Sequence, residues 1–120
     1  KNQHVKVLGD RDRLNQVILN LATNAIKYNK PNGQVRVGYI MRDQKVEIYV
    51  SDTGRGIERE HLSRIFERFY RVDKERSREV GGTGLGLAIV KHIIEAHAQA
   101  IRVRSTVGVG TTFGFTLKKA

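Results

Sequence analysis

Residues 14–29, LNQVILNLATNAIKYN, contain neither Gly nor Pro and carry apolar side chains at Leu14, Val17, Ile18, Leu21, Ala22, Ala25 and Ile26. At about 100° per residue these positions share one arc, so the stretch is predicted to be an amphipathic helix with that arc buried. A second stripe, Gln16, Asn20, Asn24 and Lys27, runs beside it. Asn is a poor helix former because its amide competes for backbone hydrogen bonds. Two Asn one turn apart, at the border of a buried face, therefore need a reason. Their half-shielded amide oxygens suit a hard cation such as Mg²⁺. Alternatively, they cap a neighbouring loop.

A chain of 120 residues, 39% hydrophobic, is predicted to form one domain around one core. It has no Cys, which excludes a disulfide framework and thiolate metal sites. No apolar run approaches the ~20 residues that span a bilayer. No signal peptide is visible, and the sequence opens in mid-pattern, as an excised segment does. The net charge of +10 invites nucleic acid as a partner. Its Lys and Arg are scattered, however, and the densest charged segment, residues 67–79, is nearly balanced, with five basic and four acidic residues. The positive balance equally attracts a polyphosphate or an acidic protein.

Along the chain, residues 4–8 alternate as a short edge strand, and Gly9 breaks it. Asp10 or Asp12 can cap the helix that follows, and Pro31 and Gly33 stop it. Residues 34–41 and 45–50 alternate around a turn at 42–44, predicting a β-hairpin with one face buried, Val46, Ile48 and Val50 pointing inward. The second strand runs into Asp52-Thr53-Gly54-Arg55-Gly56-Ile57. This is an Asx-type turn or, given two glycines where a turn needs one, a place where a ligand approaches the main chain. Residues 58–69 are predicted as a helix with Leu62, Ile65, Phe66 and Phe69 inward, and residues 70–82 as a long loop of the kind that forms lids. A glycine-rich run, residues 81–87, opens a second long helix over 85–98, with Leu85, Ala88, Ile89, Ile93 and Ala96 as its apolar set. A glycine loop at a helix start suits phosphate, because free N–H groups and the dipole face the anion. The spacing G-x-G-x-G and the polar lead-in fit neither the dinucleotide fold nor the P-loop. Residues 100–105 and 111–117 form a closing hairpin, with Phe113, Phe115 and Leu117 on one side.

Together these pieces describe a nucleotide pocket. The amide pair would hold Mg²⁺ on the phosphates, and Asp52 would accept from a base amine, selecting adenine over guanine. The glycine loop would wrap the phosphates, with Lys27 and Arg71 adding charge at their tail.

Five segments then carry a family resemblance: NLATNAIKY at 20–28, DTGRGI at 52–57, IFERFYR at 65–71, GTGLGL at 82–87 and GVGTTF at 108–113. In order and spacing they resemble the asparagine, glycine and phenylalanine boxes of the ATP-binding catalytic domain of bacterial sensor histidine kinases. These kinases fall within the wider ATPase group of gyrase, the heat-shock chaperone and mismatch-repair proteins. The resemblance implies an α/β two-layer sandwich, the Bergerat ATP-binding fold: a mixed, mostly antiparallel sheet covered on one face by about three helices. It implies ATP and Mg²⁺ as cofactors, with Asn24 on the metal and Asn20, Lys27 and Arg71 taking part in phosphoryl transfer. Tyr28, Asp52, Gly54, Gly56, Ile57, Tyr70, Gly82, Thr83, Gly84, Leu85, Gly86, Leu87 and Thr111 complete the implied nucleotide contacts. Hydrolases of the wider group place a Glu four residues before the metal Asn; here that position is Asn20, which cannot act as a base.

That substitution favours transfer to a supplied acceptor: a histidine on a separate dimerisation domain, followed by a response regulator. His4, His61, His92 and His97 lack the sequence context of a phospho-acceptor, and His92 and His97 are predicted to lie on a helix surface. The expectation is one monomeric catalytic domain over 1–120, on the cytoplasmic side of a sensor kinase, without nucleic acid. The alternatives are a nucleotide-holding regulatory module that passes no phosphate and a basic nucleic-acid binder. Residues 98–100, AQA, depart from the glycine-containing turn common in the family.

Overall fold

The computed structural model describes residues 7–68, 70 and 86–120. Helix α1 spans Arg11–Lys27. Asp10 is its cap: one carboxylate oxygen accepts from the backbone N–H of Asp12 at 3.0 Å and of Arg13 at 3.2 Å. Asp12 in the first turn and Lys27 in the last both suit the helix dipole. Leu14, Val17, Leu21 and Ala25 are buried, with Ile18 packed beside them. Ile26 is 67% exposed, against expectation. It lies about 100° round the helix from Ala25, past the edge of the buried arc.

Four strands form one sheet in the order β1-β2-β4-β3: β1 Val35–Met41, β2 Lys45–Asp52, β3 Ile101–Thr106 and β4 Gly110–Lys118. Every described pairing is antiparallel. The register stacks apolar rungs across one face. Val37, Val50, Phe113 and Val103 make one; Tyr39, Ile48, Phe115 and Ile101 the next; Met41, Val46 and Leu117 the third. Val50, Phe113, Phe115 and Leu117 of these rungs and the buried arc of α1 belong to one core, and the described helices pack on this face. The expected hairpin forms, but its inward face is covered on β2 and not on β1. Val37, Tyr39 and Met41 stay 43–51% exposed, because β1 is the edge strand and α1 packs mainly on β2. The edge strand expected over 4–8 is represented by a bridge from Val7 to Lys119; residues 4–6 lie outside the described residues.

The helix expected over 58–69 is a single α-helical turn, α2, Arg59–Leu62. Beyond it Arg64, Glu67 and Tyr70 each donate to the carbonyl three residues back, at 2.9, 2.9 and 3.2 Å. Glu58 makes no side-chain cap, so nothing offsets the cost of nucleating a longer helix, and the chain descends in three-residue turns. Ile65 still reaches the core, and Phe66 meets Phe113 edge-on at 6.0 Å.

Helix α3, Gly86–Ala96, packs beside α1. It buries Val90, Ile93 and Ile94, while Ile89 is 37% exposed and Ala96 faces solvent. Apolar residues nearly encircle this helix, so periodicity alone misplaces its inner face. His97 also departs from a surface role: Nε2 accepts from the backbone N–H of Asp10 at 3.0 Å and Nδ1 donates to the Ile93 carbonyl at 2.8 Å. It joins the end of α3 to the start of α1.

The chain leaves α3 through Ala98 at φ +60°, with the Gln99 N–H bonded to the Ile94 carbonyl at 3.1 Å. This closure needs a left-handed residue, usually Gly. Ala98→Gly is therefore expected to stabilise the domain by about 0.5–1 kcal/mol, the relief of left-handed strain less the entropy of the added glycine. The melting temperature should rise by about 2–4 °C in a thermal scan. An unchanged or lower value would show that this turn carries no strain.

Candidate nucleotide site

The apolar ladder ends in one polar rung. Asp52 on β2 pairs with Thr111 on β4, which pairs with Ser105 on β3, on the same face as Val50, Phe113 and Val103. One Asp52 oxygen, Oδ1, accepts from the Gly54 N–H at 2.8 Å. This is the Asx-type turn, so the first reading of the motif is correct for that oxygen. The described residues give the other oxygen no partner. The second glycine has its own cause. Gly56 sits at φ +81°, and a Cβ there would overlap the Thr106 carbonyl oxygen and lie 2.8 Å from Val107 Cα.

The turn is clamped to the end of α1. A Cβ on Gly54 would lie 2.8 Å from the Tyr28 carbonyl oxygen and 3.2 Å from Asn29 Cα. Gln34 donates its N–H to Thr53 Oγ1 at 2.7 Å and accepts from the Thr53 N–H at 3.1 Å. Asn29 Nδ2 also donates to the Gln34 carbonyl, at 3.0 Å. The half-buried stripe of Gln16, Asn20, Asn24 and Lys27 thus runs along α1 toward the turn that carries Asp52. No hydrogen bond to another described residue engages the side-chain amides of Asn20 and Asn24. The loop-capping reading gains no support among the described residues. Nor do these hold any cluster of three or more His, Asp or Glu suited to a metal, so amide oxygens and a ligand's own oxygens are the donors on offer.

On the other side of the turn, Ile57 packs against the core and donates its N–H to Ser105 Oγ at 2.7 Å, while the Gly108 N–H bonds the Arg55 carbonyl at 2.8 Å. Thr111 is buried, its hydroxyl 2.8 Å from Ser105 Oγ. Tyr70 is held by the α2 region: its hydroxyl meets His61 Nδ1, and the Arg64 guanidinium lies over its ring at 4.6 Å. Arg64 also bonds Glu67, holding that carboxyl below the usual carboxylate range. Leu87 packs on the core, and Gly86 opens α3 with no described atom, beyond its chain neighbours and its own helix backbone, within 4 Å of where a Cβ would stand.

Phe69, Arg71, Gly82, Thr83, Gly84, Leu85 and the expected lid beyond Tyr70 lie outside the described residues. Ser105 was not singled out in the sequence, although the alternation Ile101, Val103, Ser105 turns it inward.

The comparisons bear on the family and the fold. Residues 9–120 match the family described as histidine kinase-, DNA gyrase B-, and HSP90-like ATPase. The sensor protein SrrB of Staphylococcus aureus is 46% identical over 110 residues, covering 92% of this chain and 19% of its own length. The chain thus spans about a fifth of the curated relatives it matches. A mycobacterial sensor histidine kinase, MprB, superposes with TM-score 0.84 at 35% identity, over 94% of this chain and 76% of that one. Full-length ShkA in complex with AMPPNP superposes with TM-score 0.82 at 35% identity, over 98% of this chain and 24% of that one. The chain belongs to the histidine kinase-, DNA gyrase B- and HSP90-like ATPase family.

Proposed function

We propose that this chain is the single catalytic and ATP-binding domain of a sensor histidine kinase, acting on the cytoplasmic side of the membrane. It binds Mg-ATP and gives the γ-phosphoryl group to a histidine on the dimerisation domain of the same kinase, from which a response regulator takes it. The observation that carries this reading is the division of labour in Asp52. One oxygen shapes the turn, and the other is left to accept from the exocyclic amine of adenine. The relative solved with AMPPNP supports an adenine nucleotide as ligand.

From Asp52, α1 leads along the phosphates. Asn24 would hold Mg²⁺ through its amide oxygen, with Asn20 beside it and Lys27 at the phosphate tail. The partnerless state of both amides among the described residues fits that use, and neutral oxygens suit a hard cation. Magnesium, when bound, supplies charge neutralisation on the phosphate oxygens. Gly86 leaves the start of α3 open to a phosphate among the described residues, and Arg71 and the glycine run that begins at Gly81 would supply further phosphate contacts. Asn20 cannot take a proton from water, so the domain favours transfer over hydrolysis. In the transfer, the bond from Pγ to the β–γ bridging oxygen breaks as a P–N bond forms, and ADP leaves. The scattered positive charge serves polyphosphate rather than nucleic acid, and the domain acts as a monomer.

The test mixes the domain with a separate histidine-bearing dimerisation domain and γ-labelled ATP. Label on that histidine is expected. A domain that is stabilised by Mg-ATP but labels nothing would be a regulatory module. A domain whose melting temperature does not move at millimolar nucleotide would not be an ATP-binding domain at all.

A further inference from the structure

We propose that Ser105, outside all five boxes, is a positioning residue that fixes the polarity of Thr111 and thereby sharpens selection of adenine over guanine. The proposal rests on the nucleotide reading above.

Its basis is a count of protons. A serine hydroxyl has one proton to give and two lone pairs to offer. Ser105 Oγ has three partners: the Ile57 N–H at 2.7 Å, the Gly110 carbonyl at 3.1 Å and the Thr111 hydroxyl at 2.8 Å. The Ile57 N–H can only donate and the Gly110 carbonyl can only accept. All three bonds form together only if Ser105 gives its proton to Gly110 and takes the proton of Thr111. Thr111 then has no proton left, and its remaining lone pairs can only accept.

Thr111 stands in the rung between Ser105 and Asp52. The free oxygen of Asp52 also only accepts. These two side chains therefore offer acceptors alone to a base edge or to a water bridging to it. The amine of adenine satisfies them, whereas the carbonyl oxygen of guanine opposes them. Unfixed, Thr111 could turn its proton outward and satisfy guanine in part. Ser105 also ties down the far end of the Asp52–Ile57 loop through the Ile57 N–H, while Asp52 itself holds the near end at Gly54. One hydroxyl thus joins β3, β4 and the loop.

Calorimetric titration of the folded domain with Mg-ATP and Mg-GTP tests this, beside unliganded melting and the Ile57 amide signal in a nitrogen–proton spectrum. Ser105→Ala is expected to weaken ATP about tenfold, the loss of one to two buried hydrogen bonds, and to weaken GTP less, so that the preference shrinks. The Ile57 amide signal should move upfield as its acceptor is lost. Ser105→Thr, which keeps the hydroxyl, should restore the preference. If Ser105→Ala does not fold, Ser105→Cys, a weak acceptor of similar size, reads the same loss. An unchanged ATP-to-GTP ratio in the variant, or no rescue by threonine, overturns the role of Ser105 while nucleotide binding stands. A parent domain that binds neither nucleotide overturns both.

Discussion

Asp52→Asn is expected to weaken Mg-ATP binding by about 100-fold, the equivalent of about 3 kcal/mol, the largest functional loss from a single change to a described residue. The substitution separates the two jobs of this side chain. An asparagine carbonyl still accepts from the Gly54 N–H, so the Asx-type turn survives. The other position changes from a carboxylate oxygen to an amide nitrogen, an acceptor becoming a donor. Against the exocyclic amine of adenine, donor then faces donor, and the lost bond is joined by an unsatisfied pair. Melting should stay within about 3 °C of the parent, since no core contact changes. GTP, which presents a carbonyl at that edge, should lose much less. Calorimetry with both nucleotides and a thermal scan check the three statements together. Parent-like ATP affinity in a folded Asp52→Asn domain would show that this carboxylate does not read the base.

The parts of this arrangement that the sequence made legible are those in which one residue type has one local cause. The arc of α1 held at Leu14, Val17, Leu21 and Ala25, the middle of the predicted stripe, and failed only at its border, where Ile26 is exposed. The inward set of β4, Phe113, Phe115 and Leu117, held because strict alternation has a single phase. Where apolar residues crowd a helix, as around Ile89 and Val90, the phase is set by the neighbour and not by the pattern. The same limit applies to β1, whose alternating Val37, Tyr39 and Met41 are exposed by their place at the sheet edge. Local propensity could not foresee the three-residue turns after α2, which depend on an absent cap. The polar rung was only half legible. Asp52 and Thr111 lie in recognisable motifs, whereas Ser105 becomes significant only when β3 is paired with β4.

Gly110→Ala is expected to cost about 4 kcal/mol, combining backbone strain with overpacking, and so to remove much of a stability that is ordinarily about 5–15 kcal/mol. Gly110 sits at φ +151°, where a side chain is strained. A Cβ there would overlap the Asp52 carbonyl oxygen and lie 3.0 Å from its carbonyl carbon and 3.1 Å from Thr53 Cα. These are backbone atoms of the neighbouring strand, so no side chain can rotate away. Relief requires β2 and β4 to part at the rung that holds Asp52 and Thr111. The melting temperature should fall by at least about 10 °C, and whatever remains folded should bind ATP poorly. Gly86→Ala is the counterpart. There the Cβ meets no described atom outside its own helix, and alanine is the better helix former, so melting should hold or rise slightly. If Gly86 is glycine to admit a phosphate, its alanine variant loses ATP affinity with no loss of stability. Weakened ATP binding at both positions, with melting lowered only at 110, would separate a glycine that the strands require from one that the ligand requires. Parent-like ATP affinity in Gly86→Ala would return the start of α3 to an ordinary helix end.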